Sequence, residues 1–549
     1  MPYKINEDSR QRFNRYLKAQ AQATPVRSTL ESIYDYVAPN RVNFNNIKDS
    51  GDVLTQRIWN STPIRGVRAW ANQVQSILFP PFKRWYELEP GNVFKNQSVI
   101  KEDEMKNIKN ELESVTESLF SNINQSNLYQ VVNESFQDLA ISTGVIAINE
   151  CDGNVPFSFV SIPIDQIYFE EGGSGMLENF WRNFYIKARF IDNRWPSEGI
   201  EYPKWLSDTL KTDPDVEVEL IEGVIKYPEN DSEHKYLYYV QDVKTQMDLF
   251  TEWRSYSPFI GFRMGKRPNE TYGWSVAYEN FPTIRVLNLV SYYILKSAKF
   301  KAFPAYLATK SGALNPYTAI IEPGSIIPVA PDFYQSPPIM PLESGGDPNF
   351  AQLAVEKLEA DLQAAFMINP LGDVQDVKNR SATEMNLRNQ EWAQQNATGI
   401  GRMANELVRP LINSLLIIMR KKGLIKDIIT EFGNQRIGGD DDSVWINFRS
   451  PLIGIQDEDD VKNLISGVQI LTQNFGANAI ASLNVEQIPE YIWDKLDLPS
   501  DLIKSAEEIT QGLQQLQQQA QQPGLAKQKL EELAGEQAPQ QSLLPPGEL

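Results

Sequence analysis

Apolar side chains recur at intervals of three to four residues over most of the first 141 positions, the spacing that places them on one face of a helix. In the first stretch Leu30, Ile33 and Val37 share one side, and Pro39 is expected to end the helix. Pro63 is expected to break or offset the second helix. The pattern predicts helices over residues 1–38, 52–79, 101–122 and 129–141.

The apolar period changes from about four to two between residues 144 and 264. The segments VEVELIEGVIKY (216–227) and KYLYYVQDV (235–243) are rich in branched and aromatic side chains, and clusters of Gly, Pro, Asn and Asp separate them. Such segments are typical of strands in an antiparallel sheet. The pattern therefore predicts a β-rich unit within a mainly helical chain, which is an α+β fold.

Two helices and a proline-rich segment follow the β-rich unit. Residues 282–301 are apolar on most faces, which predicts a helix buried between neighbours. Residues 303–347 contain eight prolines and short strand-like pieces, so they are expected to form a small extended projection. An apolar stripe then predicts a second helix over residues 348–368.

A polar loop over residues 369–380 separates that second helix from a much longer one. Ser381 and Glu384 have the spacing of a capping box, so a helix is expected to begin there and to end near Gly423. Gly399, Gly401 and Pro410 predict a bend in it. Beyond it, SVWINFRSPL reads as a strand, helices are expected over 458–475 and 479–495, and a Gln-rich tail from 507 fits either a solvated helix or disorder.

Composition narrows the class of protein. The 549 residues are enough for three or four structural units, and the net charge of −19 argues against a protein that grips nucleic acid over most of its surface. The N-terminal residues have no apolar run, and the most apolar stretches, 284–295 and 411–419, are too short to cross a bilayer. We therefore expect a soluble protein with no membrane partner.

Catalytic chemistry finds little support in the sequence. One cysteine, Cys151, and one histidine, His234, leave no disulfide and few metal or triad schemes. GFRMGK at 261–266 has too few residues between its glycines for a phosphate-binding loop, and GGSG at 172–175 reads as a surface turn. We expect no catalytic residue, no cofactor and no metal, while a metal-dependent nuclease using scattered carboxylates stays as an alternative.

Two groups of charged residues are candidates for contact with DNA. The loop 369–380 mixes Asp373 and Asp376 with Lys378 and Arg380, so copies arranged in a ring would present both signs of charge to a phosphate backbone. An ordinary loop between helices is the alternative interpretation. The second group lies at the end of the predicted helix 282–301, where the cations also suit the negative helix terminus; its members are Lys296, Lys299 and Lys301.

Several strings in this order resemble the portal, or head-to-tail connector, proteins of short-tailed double-stranded DNA bacteriophages of the T7-like type. They spread over most of residues 50–465. The strings are LFPPFKRWYELEP from Leu78, SPFIGFRMGKRPNETYGWSVA from Ser257, TIRVLNLVSYYILKSAKF, SATEMNLRNQE from Ser381 and PLIGIQDEDDV from Pro451.

The resemblance implies a portal fold with wing, stem, clip and crown, assembled as a dodecamer at the portal vertex of the capsid. The chain would serve as a channel for packaging and ejecting double-stranded DNA. The implied parts are an N-terminal wing (1–281) that holds the β-rich unit, stem helices (282–302 and 348–368), a clip (303–347), a tunnel loop (369–380), a long wing helix with a β segment (381–453), a crown (454–506) and a Gln-rich tail (507–549).

The resemblance also implies sites and partners. The implied DNA-facing residues of the tunnel loop are Asp373, Gln375, Asp376, Lys378, Asn379 and Arg380. The implied partners are further copies of the chain, DNA bound without sequence preference, the large terminase subunit, a tail adaptor, capsid and scaffolding proteins, and internal core proteins. The protein would reside in the virion, and in the host cytoplasm during assembly. An internal core or tail-tube protein is the structural alternative.

Overall fold

The structure, a computed structural model, describes residues 8–44, 55–81, 83–91, 102–196, 202–227, 234–302, 306–308, 339–341, 348–368, 396–425, 428–430, 433–435, 444–448, 461–471, 488 and 491–492. The chain divides into two compact units, Met1–Leu452 and Ile453–Leu549. In the second unit, residues 461–471 are helical, within the helix expected over 458–475.

Helices make up much of the first unit. They are α1 (Ser9–Val37), α2 (Thr62–Leu78), α3 (Glu102–Gln125), α4 (Leu128–Leu139), α5 (Ile191–Arg194), α6 (Lys204–Thr212), α7 (Val276–Glu279), α8 (Phe281–Ala302), α9 (Pro348–Ala365), α10 (Ala397–Met403) and α11 (Arg409–Lys421). Asp8 and Gln11 form a capping box at the start of α1, and the helix ends just before Pro39, as predicted. The mixture of helices and sheets confirms the α+β class.

The prediction for the start of the second helix was wrong. It was expected from residue 52, but α2 begins at Thr62, and Pro63 lies within its first turn. Proline is tolerated there because the first amides of a helix have no partner within the helix, so its missing N–H costs nothing. Pro63 therefore helps to begin α2 rather than interrupting it.

Two antiparallel sheets form the predicted β-rich unit. Their strands are β2 (Thr143–Glu150), β3 (Phe157–Ser161), β4 (Ile167–Glu171), β5 (Leu177–Lys187), β6 (Glu217–Lys226), β7 (Tyr236–Asp242), β8 (Asp248–Arg254) and β9 (Phe259–Arg263). The first sheet has the order β3-β2-β9, and the second has the order β4-β5-β6-β7-β8. GGSG lies at the turn between β4 and β5, where Gly175 has a φ of 75°, so the predicted surface turn is confirmed.

Short strand pairs complete the described part of the first unit. β1 (Tyr86–Pro90) pairs with β16 (Val444–Phe448), so residues far apart in the sequence share one ladder. β12 (Tyr306–Ala308) and β13 (Ile339–Pro341) pair with each other inside the proline-rich segment. The remaining pairs are β10 (Gly265–Lys266) with β11 (Gly273–Trp274), and β14 (Ile428–Thr430) with β15 (Gly433–Gln435).

One continuous apolar core joins the helices to both sheets. Helix α1 packs on the five-stranded sheet, where Tyr16 meets the ring of Tyr168 edge-on at 5.4 Å. Helix α4 covers β2 and β3 and also packs against α2. No helix in the ranges given above is both long and apolar enough to cross a membrane.

The long helix predicted after Ser381 is described from residue 397 onward. Between α10 and α11, residues Ala404–Val408 form a π-helical turn. In a regular helix the ring of Pro410 would collide with the carbonyl of residue 406, and the wider turn relieves that contact. The predicted irregularity near Pro410 is thus a π turn, and the capping box at Ser381 lies outside the described residues.

Candidate functional site

Helices α8 and α9 form a pair on either side of the proline-rich segment. The inner face of α8 is anchored by Ile284 and Leu287, which are fully buried. Leu362 on α9 and Phe366 just after its end are fully buried as well. The chain enters and leaves the segment 303–347 through this pair, and the ladder between β12 and β13 brings two parts of that segment together.

The opposite face of α8 is also apolar, but it is open. Four side chains there are about half exposed: Val286 (48%), Leu289 (51%), Tyr293 (55%) and Phe300 (50%). Intervals of three, four and seven residues bring them onto one line along the helix, which we call the outer stripe. The sequence predicted α8 to be buried between neighbours. In one copy of the chain only the first half of its inner face, from Ile284 to Ser291, is buried, and Leu295 one turn further along that face is 52% exposed.

Helix α8 is basic in an acidic protein. It carries four cations and no carboxylate, while the whole chain has a net charge of −19. The predicted residues Lys296, Lys299 and Lys301 are all exposed on its second half, as is Arg285 near its start. Among the described residues none of these cations forms an ion pair; Lys296 instead lies 5.8 Å from the ring centre of Tyr292.

The residues just before α2 tie both helices of the pair to the rest of the unit. The backbone N–H of Trp59 donates to the side-chain carbonyl of Asn288 on α8 at 2.7 Å, and the amide of Asn288 donates back to the carbonyl of Arg57 at 3.1 Å. The ring of Trp59 lies 5.0 Å from that of Tyr292. Asn288 is buried, so its hydrogen bonds make this contact specific as well as close.

Asn60 lies where α2, α8 and α9 meet. Its carbonyl oxygen accepts from the backbone N–H of Thr62 at 2.9 Å, at the start of α2. Its amide group donates to the carboxylate of Glu359 on α9 at 2.6 Å and to the hydroxyl of Ser291 on α8 at 3.4 Å. One side chain therefore bonds to all three helices.

Gly66 lets α9 approach α2 closely. A Cβ atom at Gly66 would lie 2.7 Å from the ring of Phe366, closer than a Cβ can normally approach. The buried ring of Phe366 thus takes the space that any larger side chain at position 66 would need.

A buried ion cluster fastens the π turn to the β-rich unit. Arg263 at the end of β9 is fully buried, and its guanidinium donates to Glu406 in the π turn at 2.8 Å and to Glu171 at the end of β4. The same guanidinium also donates to the backbone carbonyls of Gly175 at 2.8 Å and Thr271 at 2.9 Å. The planar fork of arginine therefore holds four separate segments together.

The charges of this cluster stabilise one another. Burial alone would lower the pKa of Arg263, but the hydrogen bonds and charges of Glu406 and Glu171 outweigh it and raise that pKa. Burial would likewise raise the pKa of Glu171, yet hydrogen bonds from Lys266 and Arg263 hold it below its ordinary value. Both shifts favour the charged forms, so the cluster is a set of mutual ion pairs.

The residues considered for catalysis from the sequence have structural contacts in the described part of the chain. No group of three or more His, Cys, Asp and Glu side chains in that part is arranged to hold a metal ion. The thiol of Cys151 contacts the hydroxyl of Ser158 at 3.2 Å, and the ring of His234 lies against that of Trp253. Lys266, the last residue of GFRMGK, is engaged with Glu171 at 2.7 Å.

The polar loop predicted to meet DNA lies outside the described residues. This applies to all six of its named members: Asp373, Gln375, Asp376, Lys378, Asn379 and Arg380. The residues that the sequence interpretation missed are Asn60, Arg263 and Glu406. The sequence carried a signal for only one of these contacts, the one between Asn60 and α8. There, the polar residues Asn288 and Ser291 interrupt one face of an otherwise apolar helix.

The described site on this α+β protein thus consists of an open apolar stripe along a basic helix. A family model described as bacteriophage head to tail connecting protein matches residues 10–503. Because the match covers most of the chain, the protein belongs to this family of head-tail connectors. It is thus a structural component of the phage particle at the junction of head and tail. A search of curated proteins found no match.

Proposed function

We propose that the connector forms a closed ring of about twelve copies at one capsid vertex, and that double-stranded DNA passes through the ring during packaging and ejection. The observation that carries the proposal is that α8 is apolar on two opposite faces. The inner face is covered by the chain itself as far as Ser291, whereas Val286, Leu289, Tyr293 and Phe300 on the opposite face remain half exposed. An apolar stripe of this kind marks a site of protein contact.

A second copy of the chain is the proposed cover for the outer stripe. The inner face of α8 already contacts α9 and the segment before α2, so the stripe is the apolar face left for another copy. In a ring of more than two copies, the stripe of one copy meets a different surface of the next. Such a head-to-tail contact closes into a ring when the rotation between copies divides a full turn evenly. Helix α9 offers a partner surface, because its exposed carboxylates Glu356 and Asp361 outnumber its single cation, Lys357, and complement the basic α8.

The charges fit a conduit along which DNA slides. A ring lined densely with Lys and Arg would release counterions and hold the polyanion tightly. Twelve copies at −19 each would carry −228, which favours weak, register-free contact wherever acidic surface faces the DNA. We propose that local contact comes from the α8 cations and from the mixed charges of the loop 369–380.

The proposed parts follow the resemblance to T7-like portals. Helices α8 and α9 would be the stem, residues 303–347 the clip that docks the packaging motor and the tail adaptor, and 369–380 the tunnel loop. The wing would comprise residues 1–281 and 381–453, and the crown residues 454–506. The large terminase subunit, capsid, scaffolding and internal core proteins are the further proposed partners.

Labelling of phage particles tests this function. An antibody against the protein should mark a single vertex, at the tail, and particles assembled without the protein should contain no DNA. Labelling throughout the particle interior or along the tail would instead indicate an internal core or tail-tube protein. Loss of intact linear DNA on incubation of the purified protein with Mg²⁺ or Mn²⁺ would indicate a nuclease.

The proposed loop contact has its own test. Lys378→Ala and Arg380→Ala should each mildly alter DNA retention in filled particles, because each removes one cation per copy from the lining. Unchanged retention in both variants would remove the loop from the mechanism.

A further inference from the structure

Asn60 uses every hydrogen-bonding group that an asparagine side chain offers. Its one carbonyl oxygen accepts from α2, and its two amide hydrogens serve Glu359 on α9 and Ser291 on α8. Aspartate has the same shape but no donor, and serine or alanine would reach fewer partners. The position therefore requires one acceptor and two donors on a short side chain, whereas a residue that only filled space between helices would require neither.

The remaining contact between α8 and α9 does little to fix how far one helix slides along the other. The inner faces consist mainly of smooth aliphatic side chains, such as Leu287 on α8 and Val355, Leu358 and Leu362 on α9. Aliphatic packing tolerates small shifts, whereas a buried polar contact is satisfied at one position only. Asn288 and Ser291 are the buried polar residues of α8, and both bond to the segment before α2.

We infer that Asn60 is a positioning residue that sets the axial register of α8 and α9 against α2, and through it the number of copies in the ring. This inference rests on the proposed ring. Twelve copies require a rotation of about 30° between neighbours, and thirteen require about 28°. A difference of about two degrees separates one ring size from the next, so the position of the outer stripe relative to the rest of the subunit must be held closely.

The substitution Asn60→Asp tests the inference in the full-length protein. It keeps the oxygen that accepts from Thr62 but removes both donors, and it places a second carboxylate beside Glu359. The repulsion should lower the equilibrium constant for forming the contact between Asn60, α8 and α9 about tenfold in each copy. Native mass spectrometry of assembled rings should then show a spread over neighbouring copy numbers, where the wild type gives one.

A charge-neutral partner should rescue the junction. Glu359→Gln alone retains an oxygen that accepts from Asn60, so its rings should match the wild type. Combined with Asn60→Asp, the new glutamine can donate to the aspartate, and a single ring size should return. Asn133→Asp is the matched control, because the amide of Asn133 also donates two hydrogen bonds, to Asn72 and Gln75, away from the pair.

The outcomes separate this inference from the function on which it rests. If Asn60→Asp lowers the melting temperature but leaves one ring size, the residue only stabilises the subunit and the inference is wrong. If Asn133→Asp spreads the ring sizes as much, the effect is not specific to the junction and the inference is wrong. A wild-type protein that never forms rings overturns the proposed function itself.

Discussion

A charge placed in the outer stripe should break the contact between copies without unfolding the subunit. Leu289→Asp is the sharpest such change, because Leu289 is 51% exposed in one copy and lies in the middle of the outer stripe. On an exposed helix position the change costs the subunit only about 0.5 kcal/mol in helix propensity. Its larger effect is expected where a second copy covers the stripe.

The size of that effect follows from the exposed areas. Burying a whole Val, Leu or Phe side chain stabilises by about 1.5–3 kcal/mol, so covering the exposed halves of the four stripe residues would contribute about 3–6 kcal/mol per interface. Leu289→Asp removes about 1 kcal/mol of this and adds at least about 1 kcal/mol for desolvating a carboxylate. The sum, about 2 kcal/mol, weakens each interface about 30-fold.

Mass photometry over a range of concentrations measures this change directly. The variant should remain monomeric at concentrations where the wild type is fully assembled. Leu17→Asp on α1 is the matched control, since Leu17 is a helical leucine with 42% exposure and lies outside the proposed interface. If Leu289→Asp assembles like the wild type, or if both variants lose assembly equally, the outer stripe is not the interface.

Three further predictions concern packing and charge within the subunit. In urea denaturation, Gly66→Ala should lower the free energy of unfolding by about 1–3 kcal/mol, because its Cβ would meet the ring of Phe366 at 2.7 Å. Gly401→Ala is the control and should be neutral or stabilising, because nothing lies within 4 Å of its Cβ. Equal effects of the two substitutions would contradict the close approach at Gly66. Arg263→Met should cost about 3–5 kcal/mol, because it takes away the cation beside the buried carboxylate of Glu406, whereas Glu171 keeps Lys266. A loss below about 1 kcal/mol in the same assay would show that the cluster is dispensable. The pKa of Glu171 in the folded protein lies below its ordinary 4.5, so its contribution to stability should be present above pH 4.5 and should disappear as the pH falls through the lowered pKa. In Lys266→Met the urea midpoint of unfolding should therefore fall less steeply with decreasing pH than in the wild type. An unchanged slope would refute the assignment.

Local patterns in the sequence were sufficient to predict most of the helices and strands. Helix α8 was expected over 282–301 and forms over Phe281–Ala302, because apolar spacing and the flanking prolines act on neighbouring residues. Strand β7 was expected within 235–243 and forms over Tyr236–Asp242 for the same reason. Pro63 misled the interpretation of α2, since the same residue breaks a helix interior and begins a helix at its first turn.

The contacts that build the site were beyond the reach of local patterns. Asn60 and Glu359 are 299 positions apart, and Arg263 and Glu406 are 143 apart, so nothing in either neighbourhood indicates the partner. The outer stripe was visible as apolar residues on α8, but the sequence could not distinguish burial inside one chain from burial between copies. That distinction requires the folded subunit, which covers the inner face of α8 as far as Ser291 and leaves the opposite face open.

Electron cryomicroscopy of the purified full-length protein tests the central claim most directly. The account predicts closed rings of about twelve copies with an axial hole, in which the outer stripe of each copy is buried against its neighbour. Monomers at every concentration tried, or rings in which Leu289 and Tyr293 face solvent, would contradict it.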